Sequence, residues 1–289
     1  LHHRGGWHGN LFQEKTMVVT RSLTDQPIET VRSTFNEAFS DYAVSAGMDR
    51  QQFRTHLQSI AYSPKDSIGL FDDTRLVGFL LVGRRGNTAY DGGTGIIPSH
   101  RGKGYSHRLV EDALNHLTKQ GCKAFLLEVL DTNSRAKELY IKHGFTYRRS
   151  LLCYQAERTM VRANPTSLTL EAQSTAGIPD NPFEPSWQNS TESMLAIAVP
   201  TADIMYEQQA IGVVCYQPQR GSIAQIYLKP QFWTREFVKQ AIISCASACT
   251  APSLRCINVD AGNQVLIQSL EALAFERFTT QSEMIAYLD

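Results

Sequence analysis

The second half of this 289-residue sequence echoes the first, and that repeat limits the folds open to it. Leu76-Val77-Gly78-Phe79 returns as Ala210-Ile211-Gly212-Val213, and Ile96-Ile97-Pro98 returns as Leu228-Lys229-Pro230. LEVLDTN (127–133) returns as INVDAGN (257–263), and Phe145 is matched by Phe275, each twelve residues beyond its asparagine. Four matches in order, at an offset drifting only from 134 to 130 residues, argue for duplication of one α/β unit. Between the copies, residues 157–190 are rich in Pro, Ser, Thr and Asn, as a linker is. The expected division is a first domain over 17–157, with linker and second domain over 158–289. Residues 1–16 carry paired histidines and no apolar signal core, and read as an appended, non-native or disordered segment before Met17.

Within the first copy, Ile28, Val31, Phe35 and Phe39, then Phe53 and Leu57, recur at helical spacing. SIGLF-DDTR-LVGFLLVG (67–83) reads as a hairpin turning at Asp72–Thr74. TAYDGGTGII (88–97) is a further strand. Its three glycines mark a bulge or a place where something approaches the backbone closely. A helix follows from Tyr105 to near Gly121, then the buried strand KAFLLEVL (123–130), a helix capped within DTN (131–133), and a strand over 145–155.

Lys+Arg and Asp+Glu both number 28, which argues against nucleic acid or a membrane surface as partner. No apolar run reaches the roughly 18–20 residues needed to span a bilayer. Six cysteines without a CxxC pair suit reduced thiols in a cytoplasmic protein, and no metal is expected.

The segment that carries chemistry is PSHRGKGYSHRLVEDAL (98–114). Glycines before a helix N-terminus let backbone N–H groups curl around an anion. A glycine-rich turn joining strand to helix would look the same, so the neighbours decide. Arg101-x-x-Gly104-x-Ser106 follows the pattern [QR]-x-x-G-x-[GA] except for its final serine. Asn133, Ala136, Leu139, Tyr140, Gly144 and Phe145 fit N-x-x-A-x-x-L-Y-x-x-x-G-F in full. With these motifs the first copy resembles the GNAT superfamily of acyl-CoA-dependent N-acetyltransferases.

That resemblance implies an α/β fold (α+β by some schemes) of two GNAT-like domains, each a mixed, mostly antiparallel sheet flanked by helices. It implies acetyl-CoA as cosubstrate. The pyrophosphate would lie on the backbone of Arg101, Gly102, Lys103, Gly104, Tyr105 and Ser106. The pantetheine arm would lie along Gly95, Ile96 and Ile97, where the strand leaves its neighbour. Asn133 is carried over as a cofactor contact, though it could serve only as a helix cap.

Acetyl transfer to an amine needs a neutral nitrogen, a stabilised oxyanion and a proton for the departing thiolate. The resemblance gives Tyr140 the role of acid, which suits a phenol of ordinary pKa about 10. A backbone N–H around Ile96–Ile97 is the expected oxyanion donor. Asp91 is the candidate base, with Tyr90 its alternative, since adjacent strand residues face opposite ways. Phe39, Asp41 and Tyr42 are candidate acceptor contacts. His143 reads as a helix-terminal cation, and His100 and His107 as surface residues.

The second copy lacks the cradle. QFWTREFVKQ follows Pro230 without a glycine, and Leu270 replaces Tyr140. It is expected to be a degenerate unit that covers the acceptor cleft or serves as scaffold, with Trp187 helping to line that cleft. The function expected is acetyl transfer from acetyl-CoA to a small-molecule or peptide amine. Transfer of another acyl or aminoacyl group, or acyl-CoA sensing without turnover, are the alternatives.

Overall fold

Twelve strands join one sheet in the computed structural model, and its central strands are buried on consecutive residues because both faces are covered; residues 18–41, 47–172 and 183–289 are described. The appended-segment reading of residues 1–16 and the candidate Tyr42 fall outside them. The first copy runs β1 (Val19–Ser22), α1 (Ile28–Ala38), α2 (Arg50–Ser59), β2 (Ile68–Asp72), β3 (Arg75–Arg85) and β4 (Thr88–Ile96). It continues through α3 (Tyr105–Lys119), β5 (Ala124–Leu130), α4 (Ser134–Lys142) and β6 (Thr146–Glu157), and α5 (Arg158–Arg162) leads out of it. The second runs β7 (Thr169–Ala172), α6 (Thr191–Ala196), β8 (Thr201–Tyr206), β9 (Gln209–Gln217) and β10 (Ser222–Leu228). It ends with α7 (Arg235–Ala248), β11 (Ser253–Asp260), α8 (Gln264–Ala272) and β12 (Glu276–Tyr287). The expected pair of mixed α/β units is therefore present.

The repeated asparagine has a local cause. Asn133 Oδ1 accepts from Ala136 N (3.1 Å) to cap α4, and Asn263 Oδ1 accepts from Leu266 N (3.2 Å) to cap α8. Gly144 closes α4 at φ +86°, and Ala274 takes the same left-handed conformation after α8 at +59°. The second copy thus keeps the backbone of the first while losing the residue that suits it best.

The sheet order is β1-β2-β3-β4-β5-β12-β6-β11-β10-β9-β8-β7. All neighbours are antiparallel except β4–β5 and β10–β11. Each copy's last strand therefore lies in the other copy's half: β12 pairs with β5, and β6 with β11. The cores follow the exchange. Met284, Ala286 and Leu288 belong to the first apolar core, while Leu152, Tyr154 and Ala156 belong to the second. A linear division at residue 157 does not describe these two cores.

Both parallel pairs open early. β4 and β5 pair only from Thr88↔Ala124 to Asp91↔Leu127, so β4 leaves its neighbour after Asp91. The glycines explain the departure. Leu81 faces Gly93 while Val82 faces Asp91, which leaves Gly92 as a bulge residue. A side chain at Gly92 would meet Ile60 Cδ1 at 2.3 Å, and one at Gly95 would meet the Phe79 ring at 2.7 Å. The close approach read from these glycines is therefore made by the first copy's own core.

Candidate active site

The β4–β5 opening leads into a cleft of about 510 Å³ between β4, α3 and α4. Gly95, Ile96, Arg101, Gly102, Gly104, Tyr105, Ser106, Asn133, Tyr140 and Phe39 line it. Ile97 and Lys103 do not: Ile97 is fully buried, and the Lys103 side chain is exposed outside the lining. Gly102 and Gly104 adopt φ +75° and +78°, with open space where a Cβ would stand. Gly104 is the N-cap of α3 and supplies no side-chain hydrogen bond. The first turn of α3 thus keeps N–H groups turned toward the cleft, an anion site by construction of the backbone. Arg135 and Lys142, seven residues apart on α4, add positive groups to its wall, and His107 adds an imidazole. Sequence reasoning missed these three; the seven-residue spacing beside Tyr140 was the available signal.

Arg101 plays a different part from the one expected. Its guanidinium donates to Asp41 (2.5 and 3.0 Å), to Ala38 O (2.6 Å) and to Ile96 O (3.0 Å). These bonds strap α1 to the end of β4 and fix the cleft's rim. Asp41 is that strap's carboxylate and not part of the cleft lining; the hydrogen bond from Arg101 holds it below the usual carboxylate range. The expected oxyanion pair is also halved, because Ile97 N donates to Val77 O (3.0 Å). Strand alternation turns the Ile96 N–H to the opposite edge, which β5 leaves open.

Tyr140 and Asp91 meet inside the cleft wall. The phenol donates to Asp91 Oδ2 at 2.9 Å, and both residues are buried. Asp91 also accepts from Thr94 Oγ1 (2.7 Å) and from Gly93 N (2.9 Å), and burial pushes its carboxyl up. The hydrogen bond holds the phenol oxygen of Tyr140 against this carboxyl group and fixes its orientation in the cleft wall.

Tyr90 faces the other way, as alternation requires. Its ring stacks on Trp187 (5.1 Å, 5°), Gln188 Nε2 donates to its hydroxyl (3.0 Å), and burial pushes its pKa well above the ordinary value. Trp187 also donates to Ile60 O (2.9 Å) and carries the Arg85 guanidinium on its ring (4.1 Å). The linker is thereby clamped to the first copy.

On this second face stands Glu128, which the sequence reading passed over. It is the first β5 residue beyond the last β4–β5 pair. Oε2 accepts from Asn258 Nδ2 (2.6 Å), whereas Oε1 is shut from solvent without a hydrogen-bond partner among the described residues. Burial, then the Glu283 charge, push its carboxyl up to about 7. A glutamate inside FLLEVL was itself the signal, for an ionisable group rarely enters a buried strand without a task.

His107 is exposed, as a surface residue is, and it contacts His143 (3.1 Å); burial followed by that neighbour's charge lowers the His143 pKa, which weakens its part as a helix-end cation. His100 is partnered by Asp72 at 3.1 Å. Among the described residues, all six cysteines are free and buried, and no group of three or more His, Cys, Asp or Glu is placed to hold a metal. No described helix is long and apolar enough to cross a membrane.

The second copy is narrowed at the corresponding points, where only about 50 Å³ lies between β10, β11 and α8. Thr234 caps α7 by accepting from Phe237 N, whereas Gly104 at the N-cap of α3 has no side chain to do so. Phe232 packs edge-on against Tyr206 and Phe237 where the cradle would lie. The opening between β10 and β11 holds the linker: Gln225 donates to Asn189 O (2.5 Å), and Asn189 donates to Ile257 O (2.8 Å). Leu270, in the place of Tyr140, is fully buried.

Residues 28–145 match the model of the acetyltransferase (GNAT) family. Over 151 residues the chain is 27% identical to the mycothiol acetyltransferase of Corynebacterium glutamicum (strain R), covering 50% of this chain and 52% of that one. It thus spans about half the length of the curated relatives it matches. The fold is similar to a tandem GNAT protein from the clavulanic acid biosynthesis pathway (TM-score 0.63, 11% identity, 94% of this chain and 98% of that one). It is also similar to a GCN5-related N-acetyltransferase from Sphaerobacter thermophilus (TM-score 0.65, 10% identity, 93% and 95%). The family model is thus seated on the copy that holds the α3 cleft, and the second copy repeats the same order of strands and helices.

Proposed function

We propose that this protein is an N-acetyltransferase whose first copy takes acetyl-CoA in the α3 cleft and passes the acetyl group to an amine arriving from the opposite face. One observation carries the reading: the sheet opening has the Tyr140 phenol, hydrogen-bonded to Asp91, on one face and a buried Glu128 oxygen without a hydrogen bond on the other. Acetyl-CoA supplies the activated acetyl thioester. Gly102, Gly104 and the uncapped first turn of α3 hold its pyrophosphate, and Arg135 and Lys142 balance its charge. The open edge of β4 at Ile96 offers N–H to the acyl oxygen. Glu128 Oε1 takes the proton from the attacking nitrogen, and Tyr140 gives its proton to the departing sulfur. Asp91, with both oxygens engaged, orients Tyr140; the base role expected of it passes to Glu128.

Calorimetric titration with acetyl-CoA tests the reading. One site per chain is expected, and Gly104→Trp should weaken it at least tenfold, because a side chain at φ +78° is strained and projects into the cradle. Tyr140→Phe should bind normally and turn over some 10–100-fold more slowly. Two sites, or binding indifferent to Gly104→Trp, would overturn the assignment of the cleft. Normal turnover by Tyr140→Phe would remove the acid.

A further inference from the structure

We propose that the second copy selects the acceptor: Arg220 and Arg255 bind an anionic group, carboxylate or phosphate, carried by the amine. The inference rests on the acetyltransferase reading for the chemistry but on separate residues for the selection. A second cleft of about 510 Å³ lies between α2 and the second copy's sheet. Its first wall is one stripe of α2, where Gln52, Thr55, His56 and Ser59 follow the i, i+3, i+4, i+7 spacing. Its second wall is one face of the opened sheet, with alternate residues Ser222 and Ala224 on β10 and Arg255 and Ile257 on β11. Arg220 adds a second guanidinium from the β9–β10 turn.

Charge is one-sided here. Among the described residues no Asp or Glu lines the cleft, both arginines are exposed in it, and neither forms an ion pair. Two guanidiniums without a carboxylate favour an anion, which each can grip with paired N–H donors. The other end of the cleft reaches the chemistry. His56 Nε2–H donates to the carbonyl of the bulge residue Gly92 (2.9 Å), Gln188 donates to Tyr90, and Ile257 adjoins the Asn258 that bonds Glu128. A substrate seated there presents its nitrogen toward Glu128 and its anionic group toward Arg220 and Arg255. The second copy, having lost its own cofactor cradle, thus supplies specificity to the first.

The test is calorimetric titration of the full chain, saturated with coenzyme A, against matched pairs of amines. One arm sets amino acids against their carboxamides, and the other sets amino-sugar phosphates against the free amino sugars. At least tenfold tighter binding of the charged member is expected in one arm, and that arm identifies the anion. The double variant Arg220→Gln/Arg255→Gln should lose the tenfold preference while keeping wild-type affinity for acetyl-CoA. Equal binding of both members, a preference surviving in the double variant, or no binding by any member would each overturn the proposal. Because the readout needs no turnover, charged amines that bind without being acetylated would sink the acetyltransferase reading and leave the selection standing.

Discussion

Glu128→Gln is expected to abolish most turnover while making the protein more stable above neutral pH. The rate should fall roughly 10²- to 10⁴-fold, the range lost with a positioned general base. Affinity for acetyl-CoA should not change, since Glu128 lies outside the α3 cleft. In the wild type, kcat/KM should rise with pH through about 7 and level off as the carboxylate forms, and the variant should lack this limb. The stability effect has the opposite sign. Burial raises the Glu128 pKa to about 7 from an ordinary 4.5, so between these values the folded state holds a proton that the unfolded state has released. Folding stability therefore falls as pH rises from 4.5 to 7, and the full penalty remains above 7. Glutamine carries no charge and removes that penalty, roughly 3 kcal/mol for the rise from 4.5 to about 7. Thermal melts at pH 5 and pH 8 measure it. A variant that is no more stable at pH 8 than the wild type would show that Glu128 is not held as a strained carboxylate. Unchanged turnover would remove it from the chemistry.

Much of this site was legible in the sequence because its parts are local. A cradle made of Gly102 and Gly104 before α3 needs only left-handed backbone and a helix start, and both are written in consecutive residues. The Asn133 cap and the twelve-residue step to Phe145 are equally local. What escaped was set by contacts between distant segments. Arg101 matches the expected motif, yet its guanidinium is consumed by Asp41 and the Ala38 carbonyl, 60 and 63 residues away, and by the carbonyl of Ile96. Asp91 and Tyr90 could be placed on opposite faces by alternation, but which face met Tyr140 depended on how α4 packs. Glu128 drew no notice because FLLEVL reads as buried strand, and nothing in that stretch reveals that β4 leaves β5 one residue earlier. The arginines of the second copy face the first only through the folded linker.

The strand exchange escaped for a related reason, and it carries the largest expected effect on stability: residues 18–157 produced alone should not yield a folded monomer. TYRRSLLCYQAE (β6) and ERFTTQSEMIAY (β12) both carry a run of consecutive apolar residues near their ends, LLCY and MIAY, so sequence pattern cannot say which copy's core each one fills. In the folded chain β12 runs beside β5 from Ala124↔Tyr287 to Leu130↔Gln281. It buries Met284, Ala286 and Leu288 in the first core. Removing it exposes those apolar partners and a full edge of β5. At about 1.5–3 kcal/mol for each large buried side chain, the loss approaches the roughly 5–15 kcal/mol that holds a whole domain folded. The truncated chain retains β6, which has the length and pattern to fill the empty slot of a second molecule, as β12 does within the intact chain. Size-exclusion chromatography with light scattering should therefore find a dimer or larger aggregates, and any acetyl-CoA binding should reside in the dimer. A monomer that melts cooperatively and binds acetyl-CoA with wild-type affinity would mean that β6 had folded back against β5, making the exchange dispensable. The intact chain avoids that choice because its two last strands cross in the middle of one sheet, which ties the copy with the cleft to the copy without one.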